Sequence, residues 1–401
     1  MKTNTIIKTA LVVLLALIIT AAGEVHNFPM RSGMNLPWTV HPTQGYSHYG
    51  WDLGRHPWYY SGHEGYSSSL SSLEDDFAYL ATNKVKLCRI FLFCDFRTGL
   101  ELDDDGYVTG FDPWVYLDMD ELVSCSARHQ LKLIPVLMDF MMLDGLSLGS
   151  SGGEHPEFIT NAIAQAAFMK NILKPFISRY GTNENIYAWE IMNEPGEATS
   201  VPKPDLAQFI DLCASNILAE CPSALTTCGI YNTDELDIWM TPHLNFMQLH
   251  QYPGSSWDFN TPATSWSDNP VLIGETPITS DYTQQLEIAR STGYLGVLAW
   301  SLNDPYYNYD IVASGYMSYM TNLFYNINSP LTLDIELTQN EVHLQLSPTF
   351  EGNTYTLHQT TNLTALSWAT STFPAAIVTN KTERMLPLNK GSRFYNVSTD
   401  F

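Results

Sequence analysis

The chain has 401 residues, 45% of them hydrophobic, with 42 acidic against 19 basic side chains and a formal net charge of −23. Such length and apolar content support a large core plus a smaller module and exclude a disordered protein. The acidic balance excludes nucleic acid as a partner, because a phosphate backbone would be repelled.

Lys2 and Lys8 come first, followed by an apolar run from Ala10 to Ile19 and the small residues Thr20-Ala21-Ala22-Gly23. This is the order of a secretory signal. The run is too short to span a bilayer. Residues 1–23 are therefore expected to be removed on export, leaving a secreted, extracellular or periplasmic protein without membrane contact. An uncleaved anchor is the alternative.

Short apolar runs then alternate with longer amphipathic ones, the pattern of parallel strands joined by helices. The expected strands are Ser32 to Leu36, Lys86 to Phe93, Lys132 to Asp139, Ile186 to Asn193, Leu225 to Gly229, Phe246 to Gln251, Val271 to Gly274 and Gly296 to Trp300. Helices are expected over Ser71 to Asn83, Trp114 to His129, Phe158 to Tyr180, Asp205 to Glu220, Thr283 to Thr292 and Tyr316 to Tyr325. Eight strand-helix units predict an α/β protein with a (β/α)8 TIM barrel over 24–328, whose reactive side chains sit where strands end. A doubly wound sheet is disfavoured, since no Gly-rich phosphate turn follows the first strand.

After the linker-like Asn326-Ile327-Asn328-Ser329-Pro330 the pattern changes to short strand runs at Leu331 to Leu337, Val342 to Leu346, Tyr355 to Gln359 and Phe394 to Val397. Residues 331–401 are expected to form a small all-β, sandwich-like module, with sugar binding, attachment and packing all open as its role. Three Asn-x-Ser/Thr triplets start at Asn362, Asn380 and Asn396. The six cysteines permit disulfides but a core of this size does not require them, and their connectivity stays open.

Two strand ends carry the chemistry. Trp189-Glu190-Ile191-Met192 runs into Asn193-Glu194-Pro195, and Val271-Leu272-Ile273-Gly274 runs into Glu275. Each ending places a carboxylate at the rim of the sheet, and two rim carboxylates are what glycosidic bond cleavage needs. Ordinary salt-bridge partners are the competing reading. Glu190, deeper on its strand, reads as a structural buried carboxylate. His63 and Glu64 lack a third ligand in reach, so no metal and no cofactor is expected.

On these motifs, residues 31–325 resemble glycoside hydrolases of clan A, closest to family 5, the cellulase and mannanase group. The resemblance implies that Glu194 is the acid/base residue after an asparagine on the fourth strand, and that Glu275 is the nucleophile on the seventh. It implies further that Arg89 keeps the nucleophile ionised, that Asn193 bonds the sugar's 2-hydroxyl, and that Tyr252 of His250-Gln251-Tyr252 reaches the nucleophile. Trp300 would lie flat under the sugar. Taken singly, Arg89 also reads as a core ion pair with Glu190, His250 as a core histidine and Trp300 as barrel packing. The chain departs from the family near the third strand's end, where a histidine is usual and Asp139-Phe140-Met141-Met142 stands here. Asp139 is expected either to touch substrate or to serve a structural hydrogen bond.

Aromatic residues crowd the loop after the first strand (Trp38, Tyr46, Tyr49, Trp51, Trp58, Tyr59, Tyr60) and recur at Trp257, Tyr306, Tyr307 and Tyr309. Some are expected to stack on sugars away from the cut. The resulting expectation is a secreted, monomeric, metal-independent retaining β-glycoside hydrolase acting endo on a β-1,4-linked polysaccharide. Mannan is the first expectation, cellulose-type glucan the second, and exo action an alternative. A non-catalytic carbohydrate-binding protein on a degenerate barrel, or an adhesin working through the β module, are readings of another class.

Overall fold

The computed structural model describes residues 33–302, apart from 38, 40–52, 55–64, 70, 97, 145–154, 232, 234–235, 256, 268 and 278–281, and the backbone of six strands between 332 and 400. The expected signal segment, the helix over Tyr316 to Tyr325, the His63-Glu64 pair and most of the aromatic loop positions lie outside these residues.

All eight expected strand runs form strands, and they close into one parallel barrel. In chain order the elements are β1 (Gly33–Leu36), α1 (Leu73–Thr82), β2 (Leu87–Phe91), β3 (Leu100–Leu102), β4 (Val108–Phe111), α2 (Pro113–His129) and β5 (Lys132–Asp139). There follow α3 (Ala162–Phe168), α4 (Lys174–Tyr180), β6 (Trp189–Asn193), α5 (Lys203–Glu220), β7 (Thr226–Ile230), β8 (Met247–His250), β9 (Val271–Pro277), α6 (Tyr282–Ser291) and β10 (Val297–Trp300). Around the barrel the order is β1-β2-β5-β6-β7-β8-β9-β10, and β10 returns to β1 through Gly33 opposite Leu298. Gly33 is required there, because a Cβ would lie 2.1 Å from the Leu87 carbonyl oxygen.

The barrel interior is layered by the two-residue period of the strands. Leu87, Ile134, Ala188, Phe246, Leu272 and Leu298 form an apolar floor. Two residues further along β2, β6 and β8 come Arg89, Glu190 and Gln248, all fully buried. Register shifts then interrupt the ladder between Glu190 and Asn193 and between Leu249 and His250. An extra residue at such a bulge re-aims the side chains beyond it. Here the shift brings His250 level with Glu275.

One expected helix needed correction. The single helix expected over Phe158 to Tyr180 is broken: a turn at Glu157–Thr160 ends at Asn161, whose side chain caps α3 by accepting from the Ile163 and Ala164 amides. A π-helical turn, Met169–Leu173, then joins α3 to α4. Pro175 has no N–H and its ring would crowd the carbonyl four residues back, so the helix widens ahead of it. The β3–β4 hairpin was not among the expected elements. Its turn was legible as Asp103-Asp104-Asp105-Gly106: Asp103 accepts from the Asp105 and Tyr107 amides, and Gly106 takes φ +83°. Directly after it, Asp112 caps α2 by accepting from Trp114 and Val115.

All six cysteines are buried free thiols. Residues 30–321 make one compact unit. The strands beyond belong to a second unit and pair in two antiparallel sheets. One joins Thr332–Leu337, Glu341–Ser347 and Thr382–Pro387; the other sets Thr354–Thr360 between Ala369–Pro374 and Phe394–Asp400. Among the described residues, no helix is long and apolar enough to cross a membrane.

Candidate active site

Arg89 is the centre of a buried network. Its five N–H donors are all used: Nε and Nη2 form a fork on Glu190 at 2.7 and 2.6 Å, Nη1 reaches Asn35 Oδ1 at 2.9 Å and Glu275 Oε1 at 2.7 Å, and Nη2 also reaches Asn193 Oδ1 at 2.6 Å. Burial alone would push the guanidinium down, but Glu190 and Glu275 more than offset it, so Arg89 stays charged. Both contacts named by the two sequence readings of Arg89 are present. One guanidinium is a core ion pair with Glu190 and a contact of Glu275.

Glu275 is 3% exposed and receives a second bond on Oε2 from the Tyr252 hydroxyl at 2.7 Å. The sequence reading had Arg89 holding this carboxyl low. Instead burial pushes it up, with His250, Arg89 and Tyr252 pulling the other way. Burial, with the Glu194 carboxylate adding to it, outweighs these three.

Glu194 follows β6 in the left-handed region, at φ 46° and ψ 51°, and its amide donates to the Gly229 carbonyl. Its side chain is 16% exposed and its Oε1 lies 2.6 Å from His250 Nδ1. Burial pushes its carboxyl up to about 7; Arg89 opposes this, and Glu197 and Glu190 add to it. His250 is fully buried, and burial pushes its imidazole down to about 4, so the ring is neutral near pH 7. Its Nδ1 also lies 3.6 Å from Glu275 Oε2. One oxygen of each carboxylate and one His250 nitrogen lie within 4.8 Å of one another.

Asn193 is held from two sides, by Arg89 on Oδ1 and by Asp139, which accepts from its Nδ2 at 2.9 Å. Trp300 is 9% exposed and packs with Phe91, Cys94, Val136 and Met141, with Phe140 and Tyr252 against the same cluster. Met141, near the strand end where the resemblance implies a histidine, packs in this same cluster.

The structure thus gathers Arg89, Asn193, Glu194, His250, Tyr252 and Glu275 in one hydrogen-bonded cluster, with Trp300 beside Tyr252. Sequence reasoning missed Asn35 and Gln248. Asn35 donates to the Gly274 and Ala299 carbonyls at 2.9 and 3.2 Å, and Gln248 Nε2 donates to Glu190 at 2.6 Å. The available signal was a lone amide inside the apolar runs Met34-Asn35-Leu36 and Met247-Gln248-Leu249. Trp257, considered for sugar stacking, is 5% exposed and packs against Phe259, Trp266 and Tyr294 instead.

Glu194, His250 and Glu275 have ligand-like spacing, as do Glu74, Cys125 and His129. In the first set the Arg89 guanidinium lies 2.7 Å from Glu275 and opposes a cation. In the second, Arg128 and His129 already occupy the Glu74 oxygens.

No protein-family model matches the chain. It is 22% identical over 301 residues to mannan endo-1,4-beta-mannosidase of Mytilus edulis, spanning 62% of this chain and 81% of that one. It is 25% identical over 295 residues to mannan endo-1,4-beta-mannosidase A of Aspergillus aculeatus, spanning 60% and 77%. In fold it is similar to beta-1,4-D-mannanase of Cryptopygus antarcticus, with a TM-score of 0.60 and 19% identity over 75% of this chain and 91% of that one. Barrel, paired carboxylates and sequence relatives thus agree with the resemblance to glycoside hydrolases of clan A, family 5.

Proposed function

We propose that the protein is a retaining endo-β-1,4-mannanase in which Glu194 is the acid/base and Glu275 the nucleophile. The observation that carries this reading is that one oxygen of Glu194 and one of Glu275 lie within 4.8 Å of each other, on parts of the barrel distant in sequence. Retaining glycosidases hold their pair about 5–5.5 Å apart, too close for a water behind the sugar. Glu194, pushed up to about 7, starts protonated and gives its proton to the leaving oxygen as Glu275 bonds to the anomeric carbon. Glu194 then takes a proton from the water that releases the glycosyl group, and its own acid form is restored.

Tyr252 and Arg89 each donate to Glu275 and orient it for attack. Asn193 is suited to bond the 2-hydroxyl, a contact that strengthens as oxocarbenium character develops. Trp300 supplies an apolar ring beside the site for the sugar's C–H face. Mannan is favoured over cellulose-type glucan by the names of the relatives. The basic and apolar N-terminal segment supports export, and action as a monomer belongs to the same proposal. Residues 1–23 are read as the signal, 24–328 as the catalytic barrel, and 331–401 as a separate sandwich-like β module, a reading that the antiparallel strands beyond residue 332 support.

The test is reducing-end release from mannan, glucan, xylan and galactan, with Glu194→Ala and Glu275→Ala in parallel. Release from mannan, lost in both variants, is the expected result. A protein that binds mannan but cuts no polymer would be the carbohydrate-binding alternative. Proton NMR of the first product checks the stereochemistry, since an inverted anomer excludes Glu275 as nucleophile.

A further inference from the structure

We propose that Asp139, at the end of β5, is a positioning residue that sets the orientation of the Asn193 amide for the sugar hydroxyl next to the bond being cut. This rests on the mannanase reading above.

Asp139 is fully buried and stands directly beside Asn193 in the β5–β6 register. Its Oδ2 accepts from Asn193 Nδ2 at 2.9 Å and its Oδ1 from the Met141 amide at 2.9 Å. The Asp139 amide is itself anchored on the Cys94 carbonyl at 2.9 Å. Asn193 Oδ1 meanwhile accepts from Arg89 Nη2 at 2.6 Å.

A side-chain amide has two faces of nearly equal shape and opposite polarity. Arginine only donates and a carboxylate only accepts, so Arg89 on one side and Asp139 on the other permit a single orientation of Asn193. In that orientation one Nδ2 hydrogen goes to Asp139. The other has no partner among the described residues and is left to donate to a ligand. Without Asp139 only the Arg89 contact would hold the amide, and that contact leaves the Nδ2 end unsupported. A carboxylate beyond the amide also polarises it, which strengthens the remaining N–H as a donor. Asp139 reaches no reacting atom; its effect passes through Asn193.

The experiment compares two aryl β-mannobiosides, one intact and one lacking the 2-hydroxyl on the sugar bonded to the aryl group. It is run on the full chain with wild type, Asp139→Ala, Asn193→Ala and the double variant. For Asp139→Ala, kcat/KM on the intact substrate should fall about 10- to 100-fold, mostly in kcat, while the 2-deoxy substrate loses less than about threefold. Asn193→Ala should show the same selective loss, and the double variant should be no worse than Asn193→Ala alone. Asp139→Asn keeps one acceptor oxygen for two donors, and should lie between wild type and Asp139→Ala; it serves if Asp139→Ala fails to fold. Equal loss on both substrates, or no loss, overturns the positioning role. A wild-type enzyme that cleaves neither β-mannoside overturns the functional reading itself.

Discussion

Burial does more than charge to set the protonation of Glu194, whose carboxyl is pushed up to about 7. Activity that needs its proton should fall as pH rises through about 7, seen as the alkaline limb of kcat/KM. His250, pushed down to about 4, contributes nothing to that limb. The same shift bears on stability. Because the folded protein holds this proton more tightly than the unfolded chain, the contribution is complete below the carboxyl's ordinary value of 4.5 and is lost as pH rises to about 7. Glu194→Gln never ionises, so it should melt higher than wild type at pH 8, by up to about 3 kcal/mol, and match it at pH 4. It should also lose about 100- to 10,000-fold in kcat. An unchanged melting difference between the two pH values would refute the burial account. Arg89→Met tests the network differently: it leaves Glu190 and Glu275 buried without their guanidinium, and should cost about 3–5 kcal/mol in denaturant unfolding.

Two glycines on the barrel strands keep the space in which these side chains meet. A Cβ on Gly229 of β7 would lie 2.8 Å from both Glu190 Oε1 and His250 Nε2, and one on Gly274 of β9 would lie 2.6 Å from Gln248 Oε1. Gly229→Ala and Gly274→Ala are expected to cost about 1–3 kcal/mol through overpacking and to lower kcat by moving His250 or Glu190. Gly110→Ala on β4 is the control, since its Cβ meets nothing within 4 Å. Thermal melts and initial rates on all three variants decide the matter. Outside the barrel, Asp112 caps α2 on two amides, and Asp112→Ala should cost about 1 kcal/mol while leaving kcat unchanged.

At the scale of the molecule, the site is drawn from β1, β2, β5, β6, β8, β9 and β10, all within the unit spanning residues 30–321. Activity should therefore survive removal of everything after Asn328. A chain ending there is expected to release reducing ends from soluble mannan within about threefold of the full protein, as order of magnitude for a module without a part in the chemistry. Loss of all activity in a truncated protein that still melts cooperatively would give the β module a share in catalysis, whereas release by the barrel alone excludes the adhesin reading.

The barrel was legible because each parallel strand, covered on both faces, reads as a short apolar run whatever its neighbours do. The strand end Asn193-Glu194 was legible too, since polar groups that abruptly close such a run have only the rim to occupy; Glu275 was expected to follow its strand, whereas β9 runs on to Pro277. What escaped was whatever depends on who stands opposite. The break in the helix after Phe158 was marked by Asn161 and its widening by Pro175, but the continuous apolar period around them masked both. The sharing of Arg89 between Glu190 and Glu275, and the burial that shifts Glu275 upward, follow from strands meeting across the barrel. So does the clamp of Asp139 on Asn193, two residues 54 positions apart in the chain and adjacent in register. Sequence by itself determined which residues would be strands and which carboxylates would face the rim, because alternation and burial are local. Only the tertiary structure decided their partners and proton affinities, because desolvation and hydrogen bonding belong to the closed barrel.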